Sequence, residues 1–251
     1  MSKMRLREAT VADIPRLAEI WSIAFSTDPF YDAIFPRRNE FFDDYRNMWT
    51  TKLHKRFLQV GEQYIVVETD IIDTSGRSRA EVTGWASWKR MGSSKTAQKI
   101  SEDGECVLKG VERKLFDLEE TLIHPLLRFL RRYPGDRFAD PDELGKFSKE
   151  YTLFLDGYWT GDIEEHWHLK MLAVDPKWQR NGIGQMLVQW GLEKAQKEGV
   201  IAGLEASEAG LPLYVKWGFV EIDRYPMLDG KVIFPILVWR PNNGEVVGKS
   251  G

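Results

Sequence analysis

The feature that most constrains this fold is a strand, a glycine turn and a helix in direct succession, over residues 168–199. Residues 168–174 end in a continuous apolar run, and the Asp-Pro pair that follows stops it because proline cannot donate to a strand ladder. Gly182 and Gly184 come next, and apolar residues then recur at three- and four-residue spacing from Ile183. This order predicts a buried strand beside an amphipathic helix, which is an α/β arrangement.

Short segments rich in β-branched and aromatic residues recur along the rest of the chain and predict further strands. They are residues 4–9, 64–69, 82–89, 200–206 and 232–239, with one more strand that opens at Gly218. The second and third should pair as an antiparallel hairpin. A helix should begin at Thr10, which forms an acidic variant of a capping box with Asp13, and a short helix is expected over residues 213–217. Residues 28–36 carry three aromatics between two prolines and should form an ordered loop.

The segment 92–157 differs in character from the rest of the chain. It is charged and mostly helical in pattern, and Pro134-Gly135 and Pro141 are expected to break it. We therefore expect a single domain with a core over residues 4–90 and 158–240. The segment between them is predicted to be an insertion or a lid, and residues 241–251 a polar tail.

Charge and composition exclude several classes of function. Lys and Arg number 35 against 38 Asp and Glu, a formal charge of −3, so a generalised nucleic-acid binder is not expected. The longest apolar runs fall far short of the roughly 20 residues that a membrane span needs. A single cysteine, Cys106, cannot form an internal disulfide. We expect a cytoplasmic protein with no membrane or nucleic-acid partner.

The glycine turn has the sequence Gln179-Arg180-Asn181-Gly182-Ile183-Gly184 and leads directly into the predicted helix. Such a turn exposes unpaired backbone N–H groups at the positive end of the helix dipole, and Arg180 adds a fixed positive charge. The expected ligand is a phosphate or a pyrophosphate, although an ordinary tight turn would have the same sequence. A P-loop is excluded by spacing in the segment 244–250, and a dinucleotide fingerprint would need glycine where Leu187 stands.

Two motifs in the right order are more specific than the glycine pair alone. The first is MLAVDPKWQRNGIGQMLVQWGLEKA, residues 171–195, and the second is GLEASEAGLPLYVKWGF, residues 203–219, in which Tyr214 stands four residues before Gly218. Through these motifs the chain resembles the GCN5-related N-acetyltransferase (GNAT) family. The resemblance implies a mixed, mostly antiparallel central sheet flanked by helices. It is good over residues 166–222, plausible for residues 4–90 and absent from the inserted segment.

The resemblance also implies acetyl-coenzyme A as the acetyl donor, with its pyrophosphate on the amides of residues 180–185. The pantetheine would run beside the strand that ends at Val174, and the Leu172 N–H would stabilise the thioester oxygen as negative charge develops there. Ser207 stands where many members of the family place an asparagine that contacts the cofactor. The residues expected to bind the cofactor are Leu172, Val174, Gln179, Arg180, Asn181, Gly182, Ile183, Gly184, Gln185 and Ser207.

Acetyl transfer to an amine needs a base for the ammonium and an acid for the departing thiolate. Tyr214 is the expected acid, and the alternative is a half-buried core tyrosine. His168 lies 14 residues before Gly182, where many relatives carry a catalytic glutamate, and a neutral imidazole can accept a proton at pH 7. A structural histidine remained an equal alternative. His166 could extend a proton path, and other bases acting through water could be Glu164, Glu165 and Glu205.

The leading hypothesis is an acetyl-coenzyme A-dependent N-acetyltransferase that acts on a primary amine, with a small molecule preferred over a protein lysine or N-terminus. No metal is expected, since His166 and His168 could share one only with a third ligand that the sequence does not identify. The alternatives are a non-catalytic coenzyme A-binding or interaction module and, third, a nucleotide-dependent oxidoreductase. The resemblance places several aromatic residues in loops that flank the acceptor groove, and we expect them to line its pocket: Phe30, Tyr31, Phe35, Tyr158 and Trp159.

Overall fold

The computed structural model describes residues 3–57, 61–72, 76–103 and 137–241. Its strands form a single seven-stranded sheet in the order β1-β2-β3-β4-β5-β7-β6. They are β1 Met4–Glu8, β2 Glu62–Ile72, β3 Ser78–Met91, β4 His166–Val174, β5 Ile201–Glu205, β6 Val220–Met227 and β7 Val232–Trp239. Every neighbouring pair is antiparallel except β4 and β5, which are parallel. The expected mixed, mostly antiparallel sheet is confirmed.

Helices cover both faces of this sheet. They are α1 Ile14–Ala24, α2 Pro29–Ile34, α3 Phe42–Phe57, α4 Lys95–Asp103, α5 Pro141–Gly157, α6 Ile183–Glu198 and α7 Leu211–Lys216. The first three pack their apolar side chains with Trp85 and Met171 on one face. The opposite face carries α6 and α7, packed on Trp88 and Leu169. The sheet therefore separates two cores, and the same strands contribute to both because alternate side chains point to opposite faces.

The capping residues at Thr10 and Asp13 begin the first helix, as expected. The Thr10 N–H donates to Asp13 Oδ2 over 2.7 Å, and Arg7 binds the same carboxylate at 2.8 Å. A single 3₁₀ turn, Val11–Asp13, precedes α1. The hairpin is also confirmed, with both strands longer than expected.

The loop expected over residues 28–36 is wrong, because a short helix, α2, occupies most of it. Asp28 caps that helix by accepting the Phe30 N–H at 2.9 Å, and Pro29 takes the first helical position, where no N–H is needed. Tyr31 and Phe35 are consequently buried in the α1–α3 core instead of lining a pocket.

The inserted segment is described only at its two ends, by α4 and α5. Pro141 begins α5 instead of breaking a helix, because Asp140 accepts the N–H groups of Asp142 and Glu143, each at 3.0 Å. The helical pattern expected over residues 104–136, with Cys106, lies outside the described residues. So does most of the expected polar tail, residues 242–251.

The sheet opens between β4 and β5, and this opening positions the site. The two strands pair only where residues 166–168 meet residues 201–203. Beyond His168, β4 continues beside β3, while β5 continues beside β7. The edge of β4 over residues 169–174 thus lacks a strand partner on one side among the described residues, and we call this opening the fork.

Candidate active site

The glycine turn before α6 has the backbone geometry of an open helix N-terminus. Gly182 is the residue preceding the helix, with φ 86°, and Arg180 also lies in the left-handed region with φ 64°. Glycine is favoured at position 182 because L side chains rarely adopt this φ. No side chain of the described residues caps the helix, so the first N–H groups of α6 have no side-chain acceptor there. The turn therefore presents free donors at the positive end of a 16-residue helix.

Two of the predicted cofactor-binding side chains hold this turn in place. Gln179 Nε2 donates to the Val174 carbonyl at 3.2 Å, and Asn181 Nδ2 donates to the Trp178 carbonyl at 3.1 Å. Their amides stabilise the loop from within, while the Arg180 side chain is exposed. All three side chains at positions 179–181 are exposed, and two of them also bond to the backbone of the loop.

Leu172 and Val174 lie on β4 along the fork. Both are half-buried and pack into the core beneath α6. Their strand pairs with β3 through Ala86 and Gly84, which leaves the other edge of the strand facing the fork. Backbone donors and acceptors at this edge can pair with an extended ligand, because a ligand here would occupy the position of a missing strand.

Tyr214 lies on α7, which packs against the beginning of α6. A Cβ added at Gly184 would lie 3.1 Å from Leu213, so the two helices meet beside the glycine turn. The Tyr214 ring is buried and makes an edge contact with Phe219 at 5.8 Å. Burial alone raises the pKa of its hydroxyl above the usual value, so the phenol stays protonated.

Ser207, expected at the cofactor, makes a hydrogen bond within the protein. Its Oγ accepts the Gly210 N–H at 3.2 Å and shapes the turn before α7. The hydroxyl keeps its own hydrogen for donation, so the expected contact with the cofactor stays a prediction.

The two histidines of β4 form a hydrogen-bonded chain that ends at the fork. His166 Nδ1 lies 2.9 Å from the Glu164 carbonyl, and its Nε2 lies 3.0 Å from His168 Nδ1. His168 Nε2 lies 3.1 Å from Glu205 Oε2 at the end of β5. Trp159 donates its indole N–H to the other Glu205 oxygen at 2.8 Å and stacks on the His166 ring.

The partners of each ring nitrogen determine which atoms of this hydrogen-bonded chain carry a proton. A carbonyl only accepts, so His166 Nδ1 must carry a proton and its Nε2 must accept from His168 Nδ1–H. A neutral His168 then directs an unprotonated Nε2 at an ionised Glu205, and that contact lacks a proton. One further proton taken from outside would complete the third hydrogen bond. The pair His168–Glu205 is therefore arranged to accept a single proton.

The electrostatics of the chain agree with this arrangement. Burial, and then the neighbouring His168, lower the pKa of His166 to about 3. Burial also lowers the pKa of His168, with Glu205 opposing the shift. For Glu205, burial favours the neutral acid, but His168 and other hydrogen-bond and charge partners outweigh it and lower the pKa. These directions leave both imidazoles neutral and the carboxylate ionised at pH 7.

Four charged residues beside this chain were not predicted: Arg56, Glu62, Lys89 and Lys170. A signal existed for Lys170, because it is the one charged residue within the apolar run of β4. Arg56 and Glu62 lie on a helix end and a strand start that come close only in the folded chain, and their spacing carries no signal. The pairing of Trp159 with Glu205 was likewise not expected.

Comparison with known proteins adds a domain match to this geometry. The sequence model of the acetyltransferase (GNAT) domain matches residues 150–221, which include the histidine chain, the glycine turn and Tyr214. This part of the chain is therefore similar to GNAT acetyltransferase domains. Over 80 residues the chain is 31% identical to the probable acyltransferase SID5 of Ajellomyces capsulatus, a match that covers 29% of the chain and 59% of that relative. The match therefore spans less than two thirds of the relative's length.

A solved structure of similar fold comes from Corynebacterium glutamicum and is described as histone acetyltransferase HPA2 and related acetyltransferase. It is 20% identical, the match covers 98% of this chain and 100% of that structure, and the TM-score is 0.55. At this identity the likeness concerns the fold. Within the described residues, none of the helices has the length and apolar character needed to cross a membrane.

Proposed function

We propose that this protein transfers an acetyl group from acetyl-coenzyme A to a primary amine by direct attack. One observation carries the proposal: β4 parts from β5 after His168 at the same end of the sheet where the uncapped α6 begins. An extended thiol carrier with a diphosphate would fill both features at once. The matched GNAT domain and the acyltransferase name of the relative support the same reaction class.

The residues that would hold the donor follow from the geometry. The N–H groups of residues 180–185, including Gly184 and Gln185, would receive the diphosphate, with Arg180 adding charge at the rim. The edge of β4 at Leu172 and Val174 would pair with the pantetheine amides, and the Leu172 N–H would stabilise the thioester oxygen.

The proton movements follow from the two groups on either side of the fork. Glu205 and His168 would take one proton from the acceptor ammonium, and this proton completes their hydrogen bond. The amine nitrogen then forms a bond to the acetyl carbon as the carbon–sulfur bond breaks. Tyr214, kept protonated by burial, would give its proton to the departing sulfur and recover one from the newly formed amide nitrogen.

The compartment and the domain division are part of this proposal. A single cysteine supports a reducing compartment such as the cytoplasm. We treat residues 4–90 and 158–240 as one acetyltransferase core, with residues 92–157 inserted between its strands.

The test combines a binding and a turnover measurement. Isothermal titration should detect binding of acetyl-coenzyme A, and release of free thiol should accelerate on addition of an accepted amine. Tyr214→Phe should lower kcat by at least about tenfold while cofactor affinity changes little, because the hydroxyl acts only as sulfur departs. Absence of binding at millimolar cofactor would refute the proposal. Slow thiol release that no amine or protein acceptor stimulates would instead favour a coenzyme A-binding module.

A further inference from the structure

The mouth of the fork carries a cluster of charged side chains from five elements. They are Arg56 of α3, Glu62 of β2, Lys89 of β3, Lys170 of β4 and Glu205 of β5. The register pairs Glu62 with Lys89 and Lys89 with His168, which places these side chains in a row on the α3 face of the sheet. Lys170 interacts electrostatically with all four other members, so the cluster is one group.

The members of this charged cluster are unequally paired. Arg56 Nη1 lies 3.4 Å from Glu62 Oε1, and Glu205 is occupied by His168 and Trp159. Among the described residues, neither lysine has a carboxylate within ion-pair distance. The cluster therefore contains three cations and two carboxylates, with the excess charge on Lys89 and Lys170.

Lys170 lies half-buried on β4. Burial lowers the pKa of its ammonium, and Glu205 and Glu62 oppose the shift from a distance. A partly buried ammonium without an ion-pair partner loses hydration that nothing in the described chain replaces. Lys170 interacts electrostatically with Glu205, so its lost hydration affects the site where the acceptor amine would bind.

This charge is unfavourable for a simple amine acceptor. An alkylammonium that approaches Glu205 would meet an excess of positive charge at Lys170 and Lys89, and like charges repel. An acceptor that carries an acidic group as well as its amine would remove both the repulsion from the lysines and the unreplaced loss of hydration at Lys170. Its ammonium would face Glu205 and its anionic group would face the lysines.

We propose that the acceptor is an amine that also carries an acidic group, and that Lys170, assisted by Lys89, binds this group. This inference rests on the proposed acetyl transfer and names the class of its acceptor. A carboxylate and a phosphate share the required chemistry. Lys170 is then a specificity-determining residue for the acceptor and takes no part in cofactor binding.

The experiment compares acceptors that differ only in the acidic group, in a thiol-release assay at saturating acetyl-coenzyme A. The pairs are β-alanine with ethylamine for the carboxylate, and O-phosphoethanolamine with ethanolamine for the phosphate. We expect kcat/KM to be at least about tenfold higher for the acidic member of one pair. The pair that shows the preference identifies which acidic group is bound.

Variants of the lysine assign the preference to its charge. Lys170→Met should abolish the preference through KM, Lys170→Arg should retain it, and Lys197→Met at the exposed end of α6 should leave it unchanged. Equal turnover of acidic and neutral amines, or a preference that survives in Lys170→Met, would overturn the inference while acetyl transfer stands. If none of the amines is acetylated, although the protein is folded and binds the cofactor, the proposed function and the inference are both refuted.

Discussion

His168 lies where the parallel pairing of two strands ends, and this position explains its chemistry. Its ring is buried, one nitrogen is directed at His166 and the other at Glu205 across the fork. Burial keeps the imidazole neutral, and the fixed tautomer order directs its free nitrogen to the carboxylate. In the proposed mechanism these two side chains form the proton acceptor.

The same burial makes stability depend on pH. The folded pKa of His166 is about 3, below the value of about 6.5 expected for an unfolded histidine. The unfolded state therefore binds more protons between these values, so the free energy of unfolding should decrease as pH falls from about 6.5 towards 3. Denaturant titrations at several pH values would measure this decrease.

His166→Gln is the informative variant for this pH effect. It should be less stable than the wild type at pH 7 and should lose less stability on acidification, since the titrating group is gone. The His54→Gln substitution on α3 provides a comparison at a half-buried histidine outside the chain of hydrogen bonds that ends at Glu205. An identical pH slope in wild type and His166→Gln would contradict the account.

At the scale of single residues the sequence predicts some site groups and cannot predict others. Gly182 and Tyr214 could be named as candidates because their local motifs are contiguous. The alternative base Glu205 was named, but its direct contact with His168 depends on two strands that meet through the sheet. Arg56 and Glu62 are brought to the cluster by tertiary packing alone.

The position of α6 on the sheet depends on two close approaches. A Cβ at Gly191 would lie 2.2 Å from Trp88 Cε2, and a Cβ at Gly84 would lie 2.5 Å from Ile183 Cγ2. Trp88 also donates its indole N–H to the Leu187 carbonyl at 3.2 Å. These contacts fix the helix, and with it the glycine turn, against the strand that lines the fork.

Glycine-to-alanine substitutions at two positions should therefore have opposite effects on the free energy of unfolding. Gly191→Ala should lower the free energy of unfolding by about 1–3 kcal/mol, because the new methyl group overlaps a buried tryptophan. Gly145→Ala, in α5 with open space around it, should raise it by about 0.5–1 kcal/mol through helix propensity. Urea unfolding of both variants measures the difference. A stabilised Gly191→Ala protein would show that α6 does not pack as described.

Elements with strong periodicity were the most predictable. α6 begins at Ile183 and ends before Gly199 as expected, since a glycine in the left-handed region bounds it on either side. α2 was missed because an aromatic segment between prolines gives no periodic signal, and only the Asp28 cap selects the helix. Strand ends differed by a few residues because pairing with neighbours, not propensity, sets them.

At the scale of the whole molecule, the two faces of the sheet carry different features. The α6 face offers the open turn and the edge of β4, while the α3 face carries the charged cluster and the histidine chain. The fork joins the two faces, since β4 leaves β5 there. The sequence predicted the mixed sheet through a family resemblance, but the extent of the fork follows from strand register and could not be obtained from spacing.

The most direct test of this account is an experimental structure of the protein with coenzyme A. The account predicts the diphosphate within hydrogen-bond distance of the N–H groups of residues 180–185, and the pantetheine along β4 beyond His168 with its sulfur towards Tyr214. Coenzyme A bound elsewhere, or β4 and β5 paired along residues 169–174 so that the fork is closed, would contradict it.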